Sequence, residues 1–217
     1  MSERPPSDPY SAPGDPSSPP GDSYSSAERH ILGPARGILG AIYGPIAQVL
    51  ARIGVSPNAV SLSQILVGVA VVVLIPTQPR VALALFVIAL ALDGIDGALA
   101  RATGRVTKFG AMLDQYADHI REVMVVGGLA AHGVLHPLLA TMYGVAYPGV
   151  NLTLYLCNTY RVPMPLAIKT YMTFYPAMAL YLWTGVDLLD WAGLLAVGTM
   201  GLLVAQGLWR LRGAMDR

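Results

Sequence analysis

From about residue 55 onward, apolar residues neither alternate nor keep to one helical face; they run on and stop at short polar or Pro/Gly breaks. Each run approaches the roughly 20 residues a helix needs to cross a bilayer. Six runs fit, at about 58–76, 81–101, 110–132, 136–157, 165–185 and 189–209, and predict an all-α integral membrane protein with six transmembrane helices. The stretch before them is more interrupted, with Arg29, Arg36 and Arg52 among Ile31, Leu32, Ile38, Leu39, Ile42, Ile46, Val49 and Leu50. That mixture suits an amphipathic helix lying in the membrane interface. Gly33, Gly37, Gly40 and Gly44 recur there at a spacing compatible with a homodimer contact, although such spacing is common by chance.

The first 27 residues break with both patterns. Seven of the chain's 17 prolines fall there, among Ser, Gly and the acidic Glu3, Asp8, Asp15 and Asp22, which predicts a disordered acidic tail. No basic start precedes an apolar run, so a secretory leader is not expected. The expected organisation is a tail (1–27), an interfacial juxtamembrane helix (28–54) and a six-helix domain (55–217).

Composition agrees with the pattern. Of the 217 residues 54% are hydrophobic and 12% charged, about half the charge of an ordinary soluble domain, and mean hydropathy is +0.52. A formal net charge of +1 removes the electrostatic case for nucleic acid as a partner. The single cysteine, Cys157, rules out an intrachain disulfide and a CxxC metal site. With six spans, Arg29, Arg36, Arg52, Arg101, Arg105, Lys108, Arg161, Lys169, Arg210, Arg212 and Arg217 fall on the side of the termini, and Arg80 alone on the other. Basic loops concentrate in the cytoplasm, so both termini are expected there, with Trp183 and Trp191 at the outer interface and Trp209 at the inner.

Acidic residues are scarce beyond the tail, yet four aspartates lie inside the second and third runs: Asp93 and Asp96 in LDGIDGALAR, Asp114 and Asp118 in FGAMLDQYADH. Ionisable groups within a bilayer are costly and need partners. Spacings of three and four place each pair on one helix face, and the short link from Ala102 to Phe109 makes the two helices antiparallel. With a rise of about 1.5 Å per residue, both pairs come within roughly 6–12 Å of the cytoplasmic helix ends. Four carboxylates at one depth repel one another unless cations intervene, and an all-oxygen set favours Mg²⁺ or Mn²⁺ over Zn²⁺ or copper. Gly94 and Gly97 are expected to leave backbone bare for a bulky group, and Arg101 on about the same face suits a phosphate.

Asp93, Asp96, Gly97, Ala100, Arg101, Gly110, Asp114 and Asp118 occupy every specified position of the pattern D-x2-D-G-x2-A-R-x8-G-x3-D-x3-D. In this the chain resembles the CDP-alcohol phosphotransferases, also called CDP-alcohol phosphatidyltransferases. Val55 to Ser61 is similar to the Pro-Asn-x-x-Thr stretch that opens the family's first membrane helix, with Ser61 in place of Thr. The resemblance covers about residues 29–217 and implies an enzyme of phospholipid biosynthesis with a cytoplasm-facing site. Two divalent cations, Mg²⁺ or Mn²⁺, hold the diphosphate of a CDP-linked donor, and the substituted phosphoryl group passes to an alcohol as CMP leaves. Carried over by position, Asp93, Asp96 and Asp114 are metal ligands, and Asp118 is both ligand and general base. Gly97, Arg101 and Gly110 are implied nucleotide contacts, with Asn58 and Ser61 as further contributors. The donor implied first is CDP-diacylglycerol, entering from the bilayer. Its acceptor is a small polar alcohol such as glycerol 3-phosphate or inositol phosphate. The alternative within the family is a CDP-choline or CDP-ethanolamine type transferase with diacylglycerol as acceptor.

Other readings stand beside this one. An intramembrane aspartate cluster also suits an ion or proton transporter. Arg121 and Glu122 are read as partners of each other or of neighbouring helices, with Arg121 also a candidate contact for an anionic acceptor. Arg161 and Lys169 are candidates for binding a phosphate on the acceptor, or else ordinary positive-inside residues. Tyr160, Tyr171 and Tyr175 either line the acceptor pocket or sit at the interface. His119 reads as a hydrogen-bonded residue, and His132 and His136 are not expected to hold a metal. Pro148 and Pro176 are expected to kink the fourth and fifth runs.

Overall fold

The computed structural model describes residues 40, 42–160, 162, 164 and 170–215. Among them the chain is helical, with no strand. A helix whose described part covers residues 42–52 (α1) is followed by α2 (Pro57–Leu74), α3 (Pro79–Ala102), α4 (Lys108–Ala131), α5 (Pro137–Thr159), α6 (Thr170–Thr184) and α7 (Leu189–Met215).

Local chemistry sets the helix starts. The Ser56 hydroxyl accepts from the Ala59 N–H at 3.2 Å, and Pro57 brings its fixed φ to the first turn of α2. Thr107 caps α4 by accepting from the Gly110 N–H at 2.9 Å. His136 caps α5 through Nδ1 ahead of Pro137. Between α3 and α4 the chain reverses through Gly104 at φ +66°, a conformation that costs other L-residues roughly 1–2 kcal/mol.

The six expected runs correspond in order to α2 through α7, though residues 165–169 of the fifth lie outside the described residues. So do Arg29, Arg36, Gly33 and Gly37. α7 departs from expectation by continuing to Met215 instead of ending near 209. Leu211 still packs into the core there, and Arg212 sits in the last turn, where a cation complements the helix dipole. Pro148 and Pro176 lie inside α5 and α6, which remain helical on both sides of them. By length and composition, α2, α3 and α7 are able to cross a membrane.

α2 acts as a wedge: it packs along both α3 and α4, which touch each other only narrowly. α5 packs on α4 and α7, and α6 joins α7 to α3. One large apolar cluster, including Val71, Phe86, Leu129, Phe174 and Met200, fills the centre. A smaller one, Ala47, Val60, Ile95 and Leu99, forms where α1 meets α2 and α3. Ser61, Gln64, Asp96, Arg121, Glu122 and Thr153 are buried polar residues, whereas large apolar side chains such as Leu66, Val73 and Leu202 point outward. A polar interior inside an apolar exterior suits a lipid surrounding.

Candidate active site

α3 carries Asp93 and Asp96 one turn apart, and α4 carries Asp114 and Asp118 one turn apart. The carboxyls of Asp96 and Asp114 lie within hydrogen-bonding reach of each other, and Asp93 and Asp118 both act electrostatically on Asp114. The antiparallel geometry expected from the short α3–α4 link therefore brings the four to one region. Asp96 is 3% exposed. Its Oδ2 accepts from Ser61 Oγ at 2.6 Å and from Gln64 Nε2 at 3.3 Å, both on α2.

Asp114 Oδ1 is buried without a hydrogen-bond partner. An orphaned carboxylate oxygen among like charges is a costly arrangement that a cation relieves. Its position and the all-oxygen donors fit a hard divalent ion by chemistry. The donors do not form a closed cage: among the described residues, no three His, Cys, Asp or Glu side chains group closely enough to hold an ion.

The expected nucleotide contacts flank this cluster. A Cβ on Gly110 would lie 3.4 Å from Asn58 Oδ1 and 3.0 Å from Thr107 Oγ1, so the starts of α2 and α4 meet at one corner. Arg101 folds back along α3, its guanidinium 3.3 Å from where a Gly97 Cβ would stand. The backbone beside the aspartates is less bare than expected. The Tyr43 ring of α1 occupies the space over Gly94, so close that a Cβ there would overlap it.

Asp118 faces two partners. Its side chain is 25% exposed; Oδ1 pairs with the Arg121 guanidinium, and Oδ2 accepts from the Tyr147 hydroxyl at 2.9 Å. Arg121 is 1% exposed. It also donates to Gln64 Oε1 at 2.6 Å and to the Ala89 carbonyl at 3.4 Å. The reading of Arg121 as an acceptor contact meets a guanidinium turned inward, with its charge set against Asp118. Glu122, also buried, accepts from the Tyr143 and Tyr175 hydroxyls. Arg121 thus bonds to Asp118 of its own helix and to Gln64 and Ala89 of α2 and α3, whereas Glu122 bonds to tyrosines of α5 and α6, and the Tyr175 hydroxyl is engaged in the interior.

Sequence reasoning did not single out Gln64, Tyr143 and Tyr147. Gln64 did offer a signal, as an amide one turn after Ser61 in an otherwise apolar run; Tyr143 and Tyr147 share an i, i+4 face of α5. His119 Nδ1 lies against the Gln115 carbonyl, and its ring tilts onto Tyr147 at 5.0 Å. His132 Nε2 bonds to the Val72 carbonyl at 3.0 Å, whereas His136 serves as a helix cap. Arg161, Lys169 and the Tyr171 side chain lie outside the described residues.

The profile of the CDP-alcohol phosphatidyltransferases matches residues 54–207, most of the chain. The chain belongs to the CDP-alcohol phosphatidyltransferase family. Among curated members, it is 35% identical over 92 residues to the archaetidylinositol phosphate synthase of Pyrococcus horikoshii, an alignment covering 42% of this chain and 48% of that protein. It is 38% identical over 92 residues to the phosphatidylinositol phosphate synthase of Mycobacterium marinum, covering 41% of this chain and 38% of that one. The chain thus spans about half or less of the length of the curated relatives it matches (48% and 38%). The crystal structure of Mycobacterium tuberculosis phosphatidylinositol phosphate synthase in complex with manganese and citrate has a TM-score of 0.61 at 20% identity, covering 81% of this chain and 92% of that chain. The same synthase with CDP-DAG bound gives 0.55 at 19% identity, with the same coverage. These likenesses show that the chain shares the fold of that synthase.

Proposed function

We propose that this chain transfers the phosphatidyl group of CDP-diacylglycerol to a hydroxyl of inositol phosphate, releasing CMP. The observation that carries the reading is the complete set of family positions on α3 and α4, with Asn58 and Ser61 of α2 at the same site. CDP-diacylglycerol as donor is supported by the related synthase solved with it. Inositol phosphate as acceptor follows the names of the relatives described above.

In the proposed reaction, the acceptor oxygen forms a bond to the phosphatidyl phosphorus. The bond from that phosphorus to the bridging oxygen breaks, and its electron pair leaves with CMP. Asp118 takes the hydroxyl proton. Two divalent cations, Mg²⁺ or Mn²⁺, held by Asp93, Asp96, Asp114 and Asp118, would neutralise the diphosphate and stabilise the leaving CMP. Manganese in the related synthase supports this choice of ion. Arg101, whose guanidinium lies over Gly97, would pair with a phosphate oxygen. A carboxylate is a weak base, so Asp118 acts mainly by where it is held.

We also infer a six-span topology in which α2 through α7 all cross the bilayer, α1 lies in the cytoplasmic interface, and the site and both termini face the cytoplasm. Arg105 in the α3–α4 link and Lys108 at the start of α4, against Arg80 at the other end of α3, support that orientation. The test of the reaction is CMP release from CDP-diacylglycerol by purified protein with Mg²⁺, using inositol phosphate, glycerol 3-phosphate, inositol or serine in turn. The expected result is release with inositol phosphate well above the others. Equal, background release with every acceptor would overturn the reading.

A further inference from the structure

We propose that Tyr147 and Arg121 are positioning residues that fix the Asp118 carboxylate from two sides, with Gln64 tying that clamp to Asp96; this rests on the transferase reading above. The clamp joins four helices. Arg121, one turn after Asp118 on α4, holds Oδ1, and Tyr147 of α5 holds Oδ2 at 2.9 Å. The other side of the guanidinium meets Gln64 of α2 at 2.6 Å and the Ala89 carbonyl of α3 at 3.4 Å. The Gln64 amide is used at both ends: its oxygen accepts from Arg121 while its nitrogen donates to Asp96 Oδ2 at 3.3 Å. The orientation of this amide follows from its partners, since a guanidinium offers only donors and a carboxylate acceptors.

The choice of partner separates this device from a generic buried ion pair. Glu122 follows Arg121 in the chain and is buried as deeply, at 1% exposed. As successive residues of α4 the two point to different faces and do not meet. Instead, Glu122 takes two tyrosine hydroxyls and Arg121 spends its charge on Asp118, which is 25% exposed. A carboxylate oxygen has two acceptor directions, so one bond to each oxygen stops the side chain swinging and leaves room for a hydroxyl proton. Misplacing a reacting group by about 1 Å costs on the order of 10²-fold in rate.

The test uses the full-length protein in detergent or nanodiscs, measuring kcat, the KM for CDP-diacylglycerol, direct binding of CDP-diacylglycerol and the thermal midpoint. Tyr147→Phe removes one hydroxyl and keeps the ring. It is expected to lower kcat about 10- to 100-fold while KM and binding stay unchanged. Arg121→Met is expected to lose more, and Arg121→Lys, which keeps the charge, to recover part of that loss. Should Arg121→Met fail to fold, Tyr147→Phe decides. An unchanged kcat per binding-competent molecule in Tyr147→Phe, with only the thermal midpoint lowered, would reduce the clamp to a fold contact and overturn the proposal. Absence of transfer by the wild-type protein would instead overturn the transferase reading itself.

Discussion

Asp96 and Asp118 sit on facing helices, but their surroundings set different consequences for losing each charge. Asp96 is nearly sealed, with Ser61 and Gln64 donating to one oxygen. Asp118 reaches the open side of the cluster. Asp96→Asn is expected to weaken both nucleotide binding and turnover, because in the proposed reaction it loses a metal-ligand charge beside the diphosphate. Asp118→Asn is expected to keep part of the nucleotide affinity and lose transfer, by about 10²- to 10⁴-fold for a missing general base. Titration calorimetry with CDP-diacylglycerol, set beside initial rates of CMP release, distinguishes the two; full activity in Asp118→Asn would remove it as the base. The aspartates and their glycines were legible because a carboxylate inside an apolar run is too costly to sit there without a partner or a reaction to serve. Gln64 and Tyr147 were not, since an amide or a phenol at a helix surface is common. What marks these two is the partner that the fold brings from another helix.

At the level of elements, α2 decides the architecture. It packs along both α3 and α4, so the helix beside the two aspartate pairs also supplies Ser61, Gln64 and Asn58. α2, α3 and α5 each begin at a proline, Pro57, Pro79 and Pro137, whose missing N–H is harmless in a first turn. The end of α7 was not legible in the sequence, because the arginines near residue 210 read as a membrane exit while the backbone stays helical through them. Also hidden was the docking of α1, in which the Tyr43 ring uses the missing side chain of Gly94. Gly94→Ala should therefore force the ring away and cost about 1–3 kcal/mol, as overpacking does. The measurement is the thermal midpoint and activity of Gly94→Ala with and without Tyr43→Ala. Relief in the double variant is expected; equal losses in both backgrounds would show that Tyr43 is not the obstacle.

For the whole molecule, the polar groups gather inside and large apolar side chains cover the outside, as a bilayer requires. Length and composition qualify α2, α3 and α7 as spans; α4 is the most polar helix, carrying Asp114, Asp118, Arg121 and Glu122, and α6 is described over 15 residues only. The orientation is testable at α3 alone. In a Cys157→Ser background, Arg105→Cys in vesicles of cytoplasmic-side-in orientation should resist a membrane-impermeant thiol reagent, and Thr77→Cys should react. Equal labelling of both would contradict a spanning α3. The proposed transfer is tested by the identity of the lipid product. Purified wild-type protein and Asp118→Asn, supplied with CDP-diacylglycerol, Mg²⁺ and a mixed pool of alcohols, are analysed by lipid mass spectrometry. A phosphatidylinositol phosphate made with one CMP per lipid by the wild type, and absent with Asp118→Asn, is the predicted result. No new phospholipid from any alcohol, or the same product from both proteins, would contradict the account.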